Sequence, residues 1–371
     1  MVWAPESHFG RHIPLSLLTG FLGSGKTTLL NWMLRDPRLA DTAVAVNEFG
    51  AIPLDHAFIE SATDDVIVLP NGCMCCLATD DLEASLASIF ARRLRDGLPE
   101  FRRLIIETSG LADPEIILRS ILESPVTSRF LWLDRVVATV DAIYGLEQLA
   151  RHAEAYRQAR LADVIVITKS DLVDPGHLQA LQAELARINP RASRHLRHDP
   201  GLTVGSIVSE AFLDDGGSAS LVGTWVQRDE RLSAAEAGCG PGDAGGGDAG
   251  PHQGHRHHPA ACATTLVATA PIPWREFHLW LGRWQRELGQ RLLRVKAILQ
   301  VEGSADPVVV HAVQSTLHVP VSLREWPDGE ERTRIVFIVS EDCTDELERS
   351  WDAFLASAQG SGRPEPHEQL A

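Results

Sequence analysis

Three groups of residues in this chain combine types and spacings that could do chemistry. The first is GFLGSGKTTLL, which begins at Gly20. Gly20, Gly25, Lys26 and Thr27 fill the fixed positions of G-x-x-x-x-G-K-[ST], a loop whose backbone N–H groups form a nest for phosphate oxygens. Gly23 and Ser24 lie inside the loop and Thr28 follows it, so all seven are candidate nucleotide-binding residues. A helix starting there would add the positive end of its dipole. Lys26 would reach the β and γ phosphates, and the Thr27 hydroxyl would ligate Mg2+. The alternative is a chance match in a glycine-rich chain. The strand-like run 13–19 before the loop and the helical composition of 27–34 after it argue against chance.

Two later segments could complete a nucleotide site. LIIETSG (104–110) is an apolar run ending in an acid and a glycine. An acid at a strand tip near such a loop can bind the Mg2+ sphere, directly or through water, which makes Glu107 the candidate. The Gly110 backbone could sense the γ-phosphate. VITKSDL (166–172) ends a strand in Thr168, Lys169, Ser170 and Asp171. In the pattern N-K-x-D the Asp carboxylate accepts from guanine N1–H and N2–H2, a donor pair that adenine lacks, and the Lys stem lies along the base. Lys169 and Asp171 fit those places, with Thr168 where Asn is usual, so the expected nucleotide is GTP. An ordinary strand end with a surface K-x-D is the alternative reading.

The third group is NGCMCCLATDD (71–81), in which Cys73, Cys75 and Cys76 form C-x-C-C. A loop can turn two or three such thiols toward one point. Thiolates select soft or borderline ions, and tetrahedral Zn–S bonds of ~2.3 Å are within reach of such a loop. Three sulfurs leave one exchangeable position, which suits transfer of the ion. Zn2+ is the first choice of cargo and Co2+ the second. A redox pair, for which C-x-x-C is the usual spacing, and inert buried cysteines are the competing readings. Four further histidines, His252, His255, His257 and His258, could form a low-affinity collecting arm or could reflect composition alone.

These groups need elements to position them. Short apolar runs at 13–19, 43–47, 66–69, 104–107, 136–140 and 164–168 alternate with helix-like stretches at 80–95, 114–122, 144–160 and 175–188. Strands alternating with helices imply parallel pairing through right-handed crossovers, and strands this apolar suit a sheet covered on both faces. SRHLRHD (193–199) sits where another strand could fall but is basic and polar. The expected fold is α/β, a P-loop NTPase with a doubly wound, mostly parallel sheet over 1–213. A flexible Gly-, Asp- and His-rich linker is expected over 214–261, where too little apolar surface exists to offset chain entropy. A smaller C-terminal α+β domain is expected over 262–358, with a frayed tail at 359–371. In it Trp274, Phe277, Leu281, Trp284 and Leu288 mark one apolar helical stripe, read as core. Strands are expected at 264–270, 292–301, 308–313, 317–323 and 334–339, and a closing helix at 345–356.

Composition narrows the function. The chain has 371 residues, 44% of them hydrophobic and 23% charged, enough for two packed domains. A net charge of −16 and a pI near 5.4 argue against nucleic acid as the main partner. No run approaches the roughly 18–20 apolar residues of a membrane span, and the N-terminus does not read as a secretory signal, so no membrane partner and a cytoplasmic location are expected. Three of the six cysteines fall within four positions, which in a cytosolic chain favours metal or redox chemistry over structural disulfides.

The loop, C-x-C-C, E-T-S-G and T-K-x-D occur in one order on one chain. This combination resembles the CobW family of P-loop GTPases, through GFLGSGKTTLL, NEFG (47–50), GCMCC (72–76), ETSGLADP (107–114), TKSDLVD (168–174), RVKAIL (294–299) and RIVFIV (334–339). The resemblance covers about residues 13–357. It implies slow GTP hydrolysis coupled to binding and delivery of a metal ion to a metalloprotein client. It implies that Lys26, Glu48 and Glu107 serve catalysis, Glu48 facing Mg2+ or the attacking water in a first switch of Asn47 to Gly50. It implies that Cys73, Cys75 and Cys76 hold the cargo and that the second domain recognises the client; a homodimer is left open. The chain departs from the family at Ala51, where Glu is frequent, and at Thr168. A nucleotide-regulated metal sensor or store without a dedicated client is the other functional reading.

Overall fold

A computed structural model describes residues 13–46, 67–69, 86, 90, 101–208 and 262–360, apart from short gaps at 125–126, 128–129, 314–315, 318–319, 324–325, 327–328 and 340–342. The first switch with Glu48, Cys73, Cys75, Cys76, the expected linker with His252, His255, His257 and His258, and the tail from 361 lie outside the described residues.

In chain order the first unit contains β1 (Ile13–Gly20), α1 (Lys26–Met33), β2 (Thr42–Val46), β3 (Ile67–Leu69), β4 (Arg103–Glu107), α2 (Pro114–Glu123), β5 (Leu131–Asp141), α3 (Gly145–Arg151), α4 (Ala153–Leu161), β6 (Val164–Thr168), α5 (Pro175–Ile188), β7 (Ser193–Leu196) and α6 (Val204–Ile207). Its seven strands form one sheet in the order β3-β2-β4-β1-β5-β6-β7, and every pair is parallel. Alternate side chains fill both faces. Leu15, Leu17, Leu104 and Ile106 pack with Leu118 and Ile121 of α2. Leu18, Ile105, Val164 and Val166 face the other way, onto Leu29 and Leu30 of α1. This double burial explains the unbroken apolar strand runs.

The winding reverses at β1. Strands β2 and β3 lie on one side of it, with β4 returning between, and β5, β6 and β7 lie on the other. Open α/β sheets form their ligand crevice at the carboxyl ends of the strands at such a point. Register aligns those ends: Leu18 pairs with Glu107, Gly20 with Thr139, and Asp141 with Thr168.

Three expected elements differ in detail. The strand expected over 317–323 is two short strands, Thr316–Leu317 and Val321–Ser322, each paired separately with Val308–Val313. The helix expected over 144–160 is two helices, α3 and α4, separated by His152 in an extended conformation (φ −117°, ψ 114°). The polar stretch at 193 does form a strand. It is β7, at the edge of the sheet, where only one flank is paired and polar side chains meet solvent.

The second unit holds β8 (Cys262–Ala268), α7 (Trp274–Leu288), β9 (Leu292–Leu299), β10 (Val308–Val313), β11 (Thr316–Leu317), β12 (Val321–Ser322), β13 (Thr333–Val339) and α8 (Thr344–Gly360). Its strands run β11-β10-β9-β13-β8, with β12 also on β10, and all pairs are antiparallel. The stripe on α7 is core: Phe277, Leu281, Trp284 and Leu288 are buried with Leu347, Trp351 and Phe354 of α8 against the sheet. Indole N–H groups of Trp280 and Trp284 both donate to Ser350 Oγ, at 2.9 and 3.0 Å, which registers the two helices. The two units touch: Arg294 and Lys296 of β9 reach Asp163, at the head of β6, and Val313 joins the apolar cluster around α2. Among the described residues no helix is long and apolar enough to cross a membrane.

Candidate functional site

The carboxyl rim of the parallel sheet collects the residues singled out in sequence. β1 ends at Gly20, and the loop to Lys26 turns over its tip. Gly20 has φ 143°, and a Cβ there would lie 2.3 Å from Thr139 Oγ1 and 2.5 Å from Thr139 O, so the loop can lie this close to β5 only because the residue is glycine. Ser24 is fully buried, and its hydroxyl bonds Thr139 Oγ1 at 2.6 Å, pinning the loop floor to β5. Gly25 caps α1; Gly23 is exposed on the loop and Thr28 on the first turn of α1. Lys26 Nζ donates to the carbonyls of Gly20 (3.1 Å) and Phe21 (3.4 Å), which keeps the ammonium at the loop.

Thr27 and Glu107 are 80 positions apart and meet: the Thr27 hydroxyl donates to Glu107 Oε1 at 2.7 Å. Glu107 is 3% exposed, at the tip of β4 beside β1. A hydroxyl and a carboxylate brought to one point at the start of a helix form a hard oxygen donor set, which fits Mg2+ held jointly with phosphate oxygens. Beyond Glu107, Gly110 is buried against the loop. A Cβ on it would sit 2.7 Å from Leu22 N and 2.8 Å from Leu22 Cα, so close an approach again demands glycine.

At the other end of the rim, Thr168 is buried and its hydroxyl donates to Ser24 O at 2.8 Å. Lys169 adopts the left-handed conformation (φ 55°). Its ammonium bonds Gly23 O at 3.0 Å and Asp141 Oδ2 at 2.6 Å. Asp141 is 2% exposed and also accepts from Ile143 N at 2.8 Å. Asp171 lies one short turn further on, half-exposed, with His198 Nε2 3.1 Å from its Oδ1.

The structure thus brings Gly20, Gly23, Ser24, Gly25, Lys26, Thr27, Thr28, Glu107, Gly110, Lys169 and Asp171 to one rim. Glu48, Cys73, Cys75 and Cys76 lie outside the described residues. Among the described residues no group of three or more His, Cys, Asp or Glu side chains could hold a metal ion. Sequence reasoning missed Thr139 and Asp141. Asp141 had a usable signal, since VVATVD (136–141) is a mostly apolar run ending in an acid, the same pattern that marked Glu107. Thr139 had none.

Comparison with known proteins adds to this geometry. A family model described as the CobW/HypB/UreG nucleotide-binding domain matches residues 14–195, and one described as the cobalamin synthesis protein CobW C-terminal domain matches residues 261–355. The chain is 39% identical over 180 residues to the zinc chaperone YjiA of Escherichia coli K12, covering 48% of this chain and 56% of that protein. It is 38% identical over 170 residues to the zinc chaperone YeiR of the same organism, covering 45% and 49%. It is 28% identical over 218 residues to zinc-regulated GTPase metalloprotein activator 1 of Dictyostelium discoideum, covering 48% and 44%. The chain spans about half the length of these curated relatives. The solved structure of Zn(II)-bound YjiA GTPase from E. coli superposes with a TM-score of 0.55 at 24% identity, covering 92% of this chain and 99% of that one, a likeness of fold.

Proposed function

The chain belongs to the CobW/HypB/UreG family of nucleotide-binding proteins, and from that premise we propose that it is a GTP-hydrolysing metallochaperone. In this reading Cys73, Cys75 and Cys76 bind a transition metal, Zn2+ first and Co2+ second, and the protein delivers it to a metalloprotein client. The observation that carries the nucleotide half is the 2.7 Å contact of Thr27 with Glu107 beneath the loop at the reversal of the sheet. The metal half is supported by the C-x-C-C thiols and by relatives described as zinc chaperones.

The residues divide the work by position. Loop N–H groups and Lys26 neutralise the β and γ phosphates. Thr27 and Glu107 hold Mg2+, which when bound offsets charge on the phosphate oxygens. Glu48, in this reading, would serve Mg2+ or the attacking water. Asp171 accepts from guanine N1–H and N2–H2, and the Lys169 stem, anchored by Asp141 and Gly23 O, lies along the base. Bond making needs no further group from the chain: water adds to the γ-phosphorus, GDP leaves, and positioning with charge neutralisation supplies the catalysis. Along the sequence the thiols lie between the first switch and the segment 107–110, so GTP favours a tightly metal-binding form and hydrolysis relaxes it. Linkage then requires that metal change GTP affinity by the same factor.

The test is Zn2+ and Co2+ affinity by competition with a chromophoric chelator, with Mg2+ plus a GTP analogue, with Mg2+ plus GDP, and without nucleotide. A Cys73/Cys75/Cys76→Ser variant serves as control. Tighter binding with the GTP analogue, abolished by the serines, is expected. Metal binding indifferent to nucleotide and to the serines refutes the proposal.

A further inference from the structure

Gln158 has no part in the mechanism above. It lies on α4, is 1% exposed, and its amide nitrogen donates to two carbonyls, Gly110 O at 3.1 Å and Ala112 O at 3.0 Å. Two acceptors fix which way the amide faces, since only its NH2 group can serve both. Among the described residues nothing donates to the Gln158 Oε1 on the other side. The side chain is therefore spent on the segment 110–112.

That segment is held from the opposite side by the phosphate loop, because Gly110 lies against the backbone of Leu22. The clamp extends along α4. Arg157 pairs with Asp113 Oδ2 at 3.3 Å, and Asp113 caps α2 by accepting from Glu115 N at 3.0 Å. His152, just before α4, stacks on Phe21 of the loop with ring centroids 4.5 Å apart. One helix thus grips both the phosphate loop and the segment after Glu107. Gly110 itself is buried, and among the hydrogen bonds of the described residues none uses its N–H. A backbone N–H at a phosphate loop is a natural donor to an anion.

We propose that Gln158 is a positioning residue for γ-phosphate recognition. Through the Gly110 and Ala112 carbonyls it holds the 110–112 turn against the loop, so that the Gly110 N–H meets the γ-phosphate and the site distinguishes GTP from GDP. The inference rests on the nucleotide-site reading of Gly110.

The test uses the full chain with Mg2+ and compares wild type, Gln158→Leu and Gln158→Glu. Leucine keeps the volume and loses the donor; glutamate sets a carboxylate against two carbonyls. Affinities for a non-hydrolysable GTP analogue and for GDP are measured by equilibrium titration. The wild type should prefer the analogue. Both variants should lose about tenfold in analogue affinity, the scale of two weakened hydrogen bonds, while GDP affinity stays within about twofold. Equal losses for analogue and GDP would make Gln158 merely structural and overturn the proposal, as would an unchanged preference for the analogue. Hydrogen exchange in the wild type covers variants that fail to fold: amides of 108–112 should exchange more slowly with the analogue than with GDP, and equal exchange overturns the proposal. A wild type that binds neither nucleotide sinks the nucleotide-site reading together with this one. A wild type that discriminates, with variants that discriminate equally, sinks this one alone.

Discussion

Thr168 occupies the place where a guanine-reading strand usually carries asparagine, and its hydroxyl ties that strand to the phosphate loop through Ser24 O at 2.8 Å. The bond also sets Lys169, the next residue, on Gly23 O and Asp141. The Lys169 end of the rim and the phosphate loop are therefore joined by a short, buried hydrogen bond. Thr168→Val keeps the shape and removes the donor, leaving a buried carbonyl short of a partner at a cost of about 1–3 kcal/mol. GDP affinity, read by titration with a fluorescent analogue, should fall at least about fivefold, and Thr168→Ser should restore most of it. Equal affinity in the valine variant would show that the loop keeps its place without the tie.

At the scale of elements, β1 carries the loop, and its position is fixed from both flanks. Arg103 of β4 and Asp134 of β5 form an ion pair at 3.2 Å with side chains 3% and 1% exposed, and Ser16 of β1, between them, donates to the same carboxylate oxygen at 3.2 Å. Burial pushes the Arg103 guanidinium below its ordinary range, and the Asp134 charge opposes that. Removing one member of such a pair takes this counter-ion from a buried charge. Asp134→Asn should lower the unfolding free energy by about 3–5 kcal/mol in urea denaturation. A loss under about 1 kcal/mol would mean that the strand order is held by apolar packing alone.

At the scale of the molecule, Asp163 joins the two sheets. Its carboxylate accepts from Arg294 and Lys296 of β9 and from the Val136 N–H at 2.8 Å. Burial pushes the Asp163 carboxyl up, but the Arg294 and Lys296 charges, with the Val136 N–H, outweigh it and hold the group well below the usual carboxylate range. A depressed folded-state pKa stabilises the fold fully above the unfolded value, near 3.9, and that stability is lost as pH falls toward the folded value. Asp163→Asn should therefore destabilise the protein by a constant amount from neutral pH down to about 4, and the gap to wild type should narrow below that. Denaturant unfolding at a series of pH values reads this directly. A gap that closes already near pH 6 would mean that the carboxylate is not held by these cations.

The chain itself determined the parts that depend on local pattern. A glycine-rich loop between a strand and a helix, acids and lysines at strand tips, and the apolar period along α7 are written in neighbouring residues, so Lys26, Thr27, Glu107, Lys169 and Asp171 were legible before any coordinates. The break of one expected helix at His152 and the polar edge strand β7 were not, because an extended residue stacked on Phe21 and an edge position are tertiary circumstances. Only the fold decided that Thr139 underlies Ser24, that Asp141 anchors Lys169, that Gln158 holds Gly110, and that Asp163 meets Arg294. Each of those contacts joins residues separated by a crossover or by a whole domain. Their partners are set by strand order and register, and no short-range signal encodes either.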